Sequence, residues 1–408
     1  MFGFGEKKKR SIHLDYASTT PVRTEVLEAM LPYFGNEWAN PGAIYKAGVH
    51  AREVVEEART RIARMLRIRP RGVIFTSGGT EANNHAIIGV VEALHKAGRA
   101  YSTMEIVTTE IEHASVLAVC DVLKERGVRV HYAPLSKEGL IEHAQFSNIL
   151  SSRTVLVTLA YANSEIGVVQ DIKKITRTVR AHNVAHKTLT LVHLDAAQAP
   201  LWLPCEMDML GVDLLSLDSG KCYGPKGAGV LAVRHGVILA PLMHGGGQEG
   251  GLRSGTENVP LIVGCTKALL LAQAAWESRA RTTCILRDSM FELIATEIPE
   301  AVVNGSRESR IANNVHISIP GVDAEFAVIT LDHHGVNVST KSACGARKGG
   351  GSAVVRTLTG DESLATSTIR FTLGEETTQG ELRKAIVLLR EHVEKVRQSV
   401  ISLTGTPV

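Results

Sequence analysis

The 408-residue sequence lacks several features that would have pointed away from small-molecule chemistry. Its six cysteines, Cys120, Cys205, Cys222, Cys265, Cys284 and Cys344, include no CxxC pair. That spacing argues against a disulfide framework and a cysteine-rich metal site, and it makes a reducing cytosol the natural compartment. No run of about 18 apolar residues is present to span a membrane. The basic N-terminus, MFGFGEKKKR, lacks the apolar run of a secretion signal, so a soluble, cytoplasmic protein is expected. Aromatic residues are only 4% and the formal charge of +3 is mild. Basic stripes interleaved with stacking rings, the mark of a nucleic-acid partner, are therefore missing. Internal repeats and low-complexity tracts are absent too.

What remains is an average globular composition, 44% hydrophobic and 21% charged, which is enough for a sizeable core. The length exceeds the roughly 100–200 residues usual for one domain, so two domains are expected. Residues 11–20, SIHLDYASTT, read as a short strand and turn, followed by a helix from Pro21 to about Phe34 and an amphipathic helix over residues 50–67. From Gly72 to Val233 apolar strands alternate with helices, among them strands at 73–76, 105–109, 128–133, 154–159, 190–194, 214–217 and 229–233. Such alternation implies a mostly parallel sheet covered on both faces, with ligands at the carboxyl ends of its strands. After Arg253 a long helix is read over residues 258–280, then short strands mixed with helices. The expected fold is α/β: a large domain over residues 15–260, and a smaller α+β domain over 261–408 that also takes in residues 1–14.

Two strand ends carry the most specific chemistry. The strand LTLVHLD ends in Asp195, and the strand VDLLSLD leads into Lys221 among glycines. Alone, the acid could cap a turn and the lysine could be a surface residue. Together they meet the needs of an enzyme using pyridoxal 5'-phosphate (PLP), in which a lysine forms a Schiff base and an acid keeps the pyridinium nitrogen protonated. Gln198, just after Asp195, can reach the same ring. In FTSGGTEAN, Gly79 and Thr80 open a helix whose free amides suit a phosphate, unless Thr80 is simply an N-cap. His113, at a strand-to-helix junction, suits stacking or proton transfer. Asn163 in YANSEIGVVQ could hold a ring hydroxyl or a carboxylate, or form an Asx-turn. The loop HGGGQEGGLRSGTEN, with Thr256, could close over a phosphate or act as a hinge. Cys344, in STKSACGARKGGG, has small and cationic neighbours that favour a reactive thiolate, whereas Cys120, Cys265 and Cys284 suit inert burial. Arg370 in STIRFTLG could clamp a carboxylate.

Assembled in this order, LDYASTTP, FTSGGTEANN, ANSEIGVVQ, LDAAQ, GKCYGPKG, HGGGQEGGLRSGTEN, SAC and IRFTLG resemble the cysteine desulfurases, PLP-dependent transferases of fold type I in the class V aminotransferase group. The resemblance covers nearly the whole chain. It implies Lys221 as the Schiff-base lysine, Asp195 as the pyridinium partner, His113 stacked on the ring and Gln198 on its hydroxyl. Gly79 and Thr80 would hold the phosphate, with Thr256 from the second subunit of a homodimer and with Ser219 as a further candidate. Asn163 and Arg370 would bind the carboxylate of L-cysteine. Cys344 would receive the sulfur and pass it to an acceptor protein, an iron–sulfur scaffold or a tRNA-thiolation protein. At the Schiff base the family usually reads Ser-x-His-Lys, where this chain has Asp218-Ser219-Gly220-Lys221, and Tyr45 stands where an early histidine is expected. Related alternatives are a selenocysteine lyase or an aminotransferase. A transaminase has no use for the reactive thiol, and a non-catalytic sulfur-transfer scaffold has none for Lys221 and Asp195.

Overall fold

The computed structural model describes residues 11–340 and 350–404. In chain order its strands are β1 (Ile12–His13), β2 (Val73–Thr76), β3 (Glu105–Thr108), β4 (Arg129–Tyr132), β5 (Thr154–Ala160), β6 (Leu191–Asp195), β7 (Leu214–Asp218), β8 (Gly229–Val233), β9 (Val302–Val303), β10 (Asn314–Ser318), β11 (Val336–Asn337) and β12 (Thr368–Thr372). Seven of them form one sheet in the order β2-β8-β7-β6-β5-β3-β4. Strands β3 to β7 pair in parallel. β8 runs antiparallel to both neighbours. The stretch 219–228 is too short for the crossover that a parallel return needs, so the chain doubles back beside β7.

Both faces of this sheet are covered, which explains why its strands read as nearly continuous apolar runs. Along β8, Val230 and Ala232 enter one core with the helices Lys46–Leu66 and Val259–Ala274, while Leu231 and Val233 enter another with the helices Gly79–Lys96 and Ala114–Glu125. Each fully buried leucine or isoleucine of these cores contributes roughly 1.5–3 kcal/mol.

A further core lies between the antiparallel sheet β12-β10-β9 and the helices Trp276–Glu297, Ala324–His333 and Gln379–Thr404. Ile12 and Leu14 belong to it, and β1 pairs in parallel with β11. The helix read over residues 258–280 is two helices, Val259–Ala274 and Trp276–Glu297, meeting at 69°. The first packs on the large sheet; the second sets Ala280 and Cys284 against that same core and supplies Met290, Phe291 and Ile294 to the small one. The early helix also divides, into Thr24–Met30 and Pro32–Gly35. Pro32 has no N–H to continue it. Among the described residues no single helix is long and apolar enough to cross a membrane.

Candidate active site

β6 and β7 run parallel with Asp195 opposite Ser216, so both strands deliver their last residues to the same edge of the sheet. Asp195 closes β6, and a single turn of 3-10 helix, Ser219–Lys221, carries Lys221 to the wall of a pocket at that edge. Asp218 sets the turn: its side chain accepts from the Gly220 amide at 2.8 Å. The same pocket is lined by Ser18, Gly79, Thr80, Asn83, His113, Asn163, Asp195, Gln198, Asp218 and Arg370.

Lys221 Nζ donates to the carbonyls of Ala17 at 2.9 Å and Ser18 at 2.6 Å, where the N-terminal stretch crosses the pocket. Gln198 Nε2 donates to the same Ala17 carbonyl at 3.0 Å. Asp195 is 8% exposed; its carboxylate accepts from Asn83 Nδ2 at 2.7 Å and from the Ala197 amide at 3.0 Å. His113 caps the helix Ala114–Glu125, its Nδ1 accepting from the Ser115 amide at 3.1 Å. A backbone amide only donates, so Nδ1 is the unprotonated nitrogen and a neutral ring carries its proton on Nε2. Next to it, burial holds the Glu112 carboxyl up at about 8, with the Asp195 charge adding to the rise, so Glu112 is a neutral acid beside the site.

The helix Gly79–Lys96 starts at a Gly78 with φ of 147°, a backbone conformation that side chains rarely adopt. A Cβ at Gly229 would lie 2.7 Å from Gly78 Cα, so both glycines are needed where this turn crosses β8. The Gly79 amide donates to Asp218 Oδ2 at 3.0 Å. Arg370, 2% exposed on β12, donates to the Ser164 carbonyl at 2.8 Å, Asp15 at 2.7 Å and Ser18 Oγ at 3.0 Å. Its Nε has no partner among the described residues. The pocket is thus lined from two sheets, with an amine and a carboxylate from the edge of the large one and a buried guanidinium from β12.

The class-V aminotransferase profile matches residues 12–384. The chain belongs to that family. It is 38% identical to cysteine desulfurase IscS of Dictyoglomus turgidum over 95% of this chain and 96% of that one, and 35% identical to cysteine desulfurase IscS 1 of Archaeoglobus fulgidus over 94% and 97%. Among solved structures it is similar to a NifS-like protein, with a TM-score of 0.86 and 31% identity over 94% of this chain and all of the other. It is also similar to SspA in complex with cysteine, with a TM-score of 0.76 and 32% identity over 89% of this chain and 99% of that one. These neighbours share the expected α/β architecture.

Several residues sit differently from the sequence reading. Ser219 does not line the pocket. It is fully buried with its hydroxyl against Gly224, because successive residues at a strand end point opposite ways and Asp218 takes the pocket side. Asn163 lines the pocket, but its amide is engaged at both ends. Nδ2 donates to the Ile111 carbonyl at 2.7 Å, and Oδ1 accepts from the Glu165 and Ile166 amides at 2.9 Å each, which is the Asx-turn alternative. Thr256 is exposed and borders a separate cleft with Tyr33, Trp38 and Tyr45. The loop that contains it is anchored by Glu249, which accepts from Arg59 at 2.7 and 3.0 Å and from the Phe75 amide at 3.0 Å. Cys284 is only half-buried, whereas Cys120, Cys205, Cys222 and Cys265 are buried, with thiols that burial pushes up. Cys344 lies outside the described residues.

The sequence reading passed over Asn83, which fixes Asp195, and Asp218, which faces the pocket. Asn83 lies one helical turn beyond Gly79, on the same face, so its spacing carried the signal. For Asp218 the signal was its place as the last residue of a strand that ends at the pocket edge.

Proposed function

We propose that this chain is a cysteine desulfurase that uses PLP to take sulfur from L-cysteine, release L-alanine and leave the sulfur on Cys344. The observation carrying this reading is the convergence of Lys221, Asp195, His113 and the buried Arg370 on one pocket. The donor set fits a pyridine aldehyde at its ring end: an amine, a carboxylate for the ring nitrogen, an imidazole for its face and Gln198 for its hydroxyl. Gly79 and Thr80 are at hand for its phosphate. When bound, PLP supplies an electron sink joined to the substrate's α-carbon.

Lys221 would link to the cofactor and, once displaced by substrate, move the α-proton; the Ala17 and Ser18 carbonyls hold its amine in place. Asp195 would keep the ring nitrogen protonated. Arg370, which lines the pocket, would bind the substrate carboxylate. The Cys344 thiolate then attacks the substrate sulfur: an S–S bond forms, the C–S bond breaks, and its electron pair stays on carbon, which a proton converts to the methyl of alanine. Ser339 and Ser352, on either side of the Cys344 segment, support this role. The first pairs its backbone with Arg370, and the second donates its hydroxyl to Glu165 in the loop of Asn163.

The acceptor of the sulfur is proposed to be an iron–sulfur scaffold or a tRNA-thiolation protein. A homodimer in which Thr256 serves the partner's site is supported by exposed Trp38, Ile44 and Tyr45, with Trp38 and Tyr45 bordering the cleft of Thr256. A persulfide carrier requires a reducing compartment, in keeping with the cytoplasm.

Purified protein incubated with L-cysteine should form alanine and a persulfide on Cys344. Lys221→Ala should abolish the visible absorbance of the lysine-linked cofactor. Cys344→Ser should keep that absorbance and lose persulfide formation. Retained absorbance in the lysine variant, or undiminished turnover in the cysteine variant, overturns the assignment of that residue.

A further inference from the structure

We propose that Asp218 is an internal competitor for the anion-binding end of this pocket, so that the chain binds the phosphate of PLP more weakly than it would with a neutral residue at 218. The inference rests on the PLP reading above and concerns how the cofactor is held.

The amides at the start of a helix attract anions because they lack partners within the helix and sit at its positive end. Here the first helical amide, and another just ahead of the N-cap Gly78, already have carboxylates from the same chain. The Gly79 amide donates to Asp218 Oδ2 at 3.0 Å, and the Ser77 amide donates to Glu81 Oε2 at 2.8 Å. Glu81 is in turn paired with Arg253 at 3.0 Å, which offsets its charge. Among the described residues Asp218 has no such cation; its other oxygen accepts from the Gly220 amide. The carboxylate is packed closely against the helix start: a Cβ placed on Gly79 would lie 3.3 Å from Oδ2 and 3.4 Å from Asp218 Cβ.

A phosphate arriving at Gly79 and Thr80 therefore meets a like charge and must displace a bond that is already charge-assisted, so it gains little from that amide. A serine or an asparagine at 218 removes the charge and still offers an oxygen to the Gly220 amide, so the turn before Lys221 is kept.

The test titrates full-length protein freed of cofactor with PLP and, separately, with pyridoxal, which lacks the phosphate, and reads the visible absorbance of the lysine-linked aldehyde. Asp218→Ser and Asp218→Asn should each lower the Kd for PLP by about tenfold or more, the scale of one charge-assisted hydrogen bond, and leave the Kd for pyridoxal unchanged. PLP affinity that is unchanged or weaker in both variants overturns the inference, as does an equal shift for the two aldehydes. No absorbance with either aldehyde in any form of the protein would sink the PLP reading and the inference with it. Absorbance without a difference between wild type and variants sinks the inference alone.

Discussion

At one end of the pocket Asp195 is a carboxylate held by the Asn83 side chain and the Ala197 amide, beside a Glu112 that burial keeps neutral. At the other end Asp218 is a carboxylate held by the amides of Gly79 and Gly220, at a helix start suited to receiving an anion. The two acids are equally well hydrogen-bonded, yet on the proposed reading they would do opposite things. Asp195 would present negative charge where the ring nitrogen needs a proton. Asp218 would present it where the phosphate needs its absence. The comparison shows that the hydrogen bonds an acid makes say how firmly it is held; its value to a ligand depends on the charge of what lies opposite.

The ring end can be broken most sharply at its acid. Asp195→Ala should lower alanine formation by roughly a hundredfold or more, the scale of losing one preorganised charge at a reacting group; activity near wild type would remove Asp195 from the chemistry. A smaller effect is expected from its support. Asn83→Ala removes the 2.7 Å donor and should cost about tenfold in turnover. It should also change the pH dependence of the cofactor's visible absorbance, which a merely structural role would leave alone.

Glu112 sharpens the contrast through stability. Its carboxyl is raised from 4.5 to about 8 in the folded chain. Between those values the unfolded chain has already released a proton that the folded chain keeps, so stability falls as pH rises, by at most about 1.4 kcal/mol per unit, and levels off above pH 8 or so. Glu112→Gln, neutral throughout, should flatten that decline in urea midpoints measured across the window. An unchanged slope would mean that Glu112 is ionised and that Asp195 has a second charge beside it.

Much of this arrangement was legible before the structure. The apolar strands β5, β6 and β7 announced themselves by composition, and Asp195, Lys221, His113, Gln198, Gly79 and Thr80 each lay at or just beyond the end of a strand, where an α/β sheet binds ligands. Other features were hidden for specific reasons. The break at Ala275 falls inside an unbroken helical composition, and only the 69° bend between the two helices reveals it. The reversal of β8 was available from the short 219–228 connection, but its residues GVLAV read the same in either direction. Ser219 resembled a phosphate ligand because a serine near the lysine was expected; which neighbour faced the pocket depended on the turn.

Residue order alone was enough to identify a lysine and an acid at strand ends, a glycine-led helix start and a thiol among small and cationic residues, because these are local patterns of type and spacing. It could not bring Arg370 from β12 to the pocket, tie Asn83 to Asp195 or set Asp218 on the Gly79 amide. Those contacts join positions far apart in the chain, and they exist only once sheet order, a strand-end turn and the packing of two cores have fixed which side chains face each other.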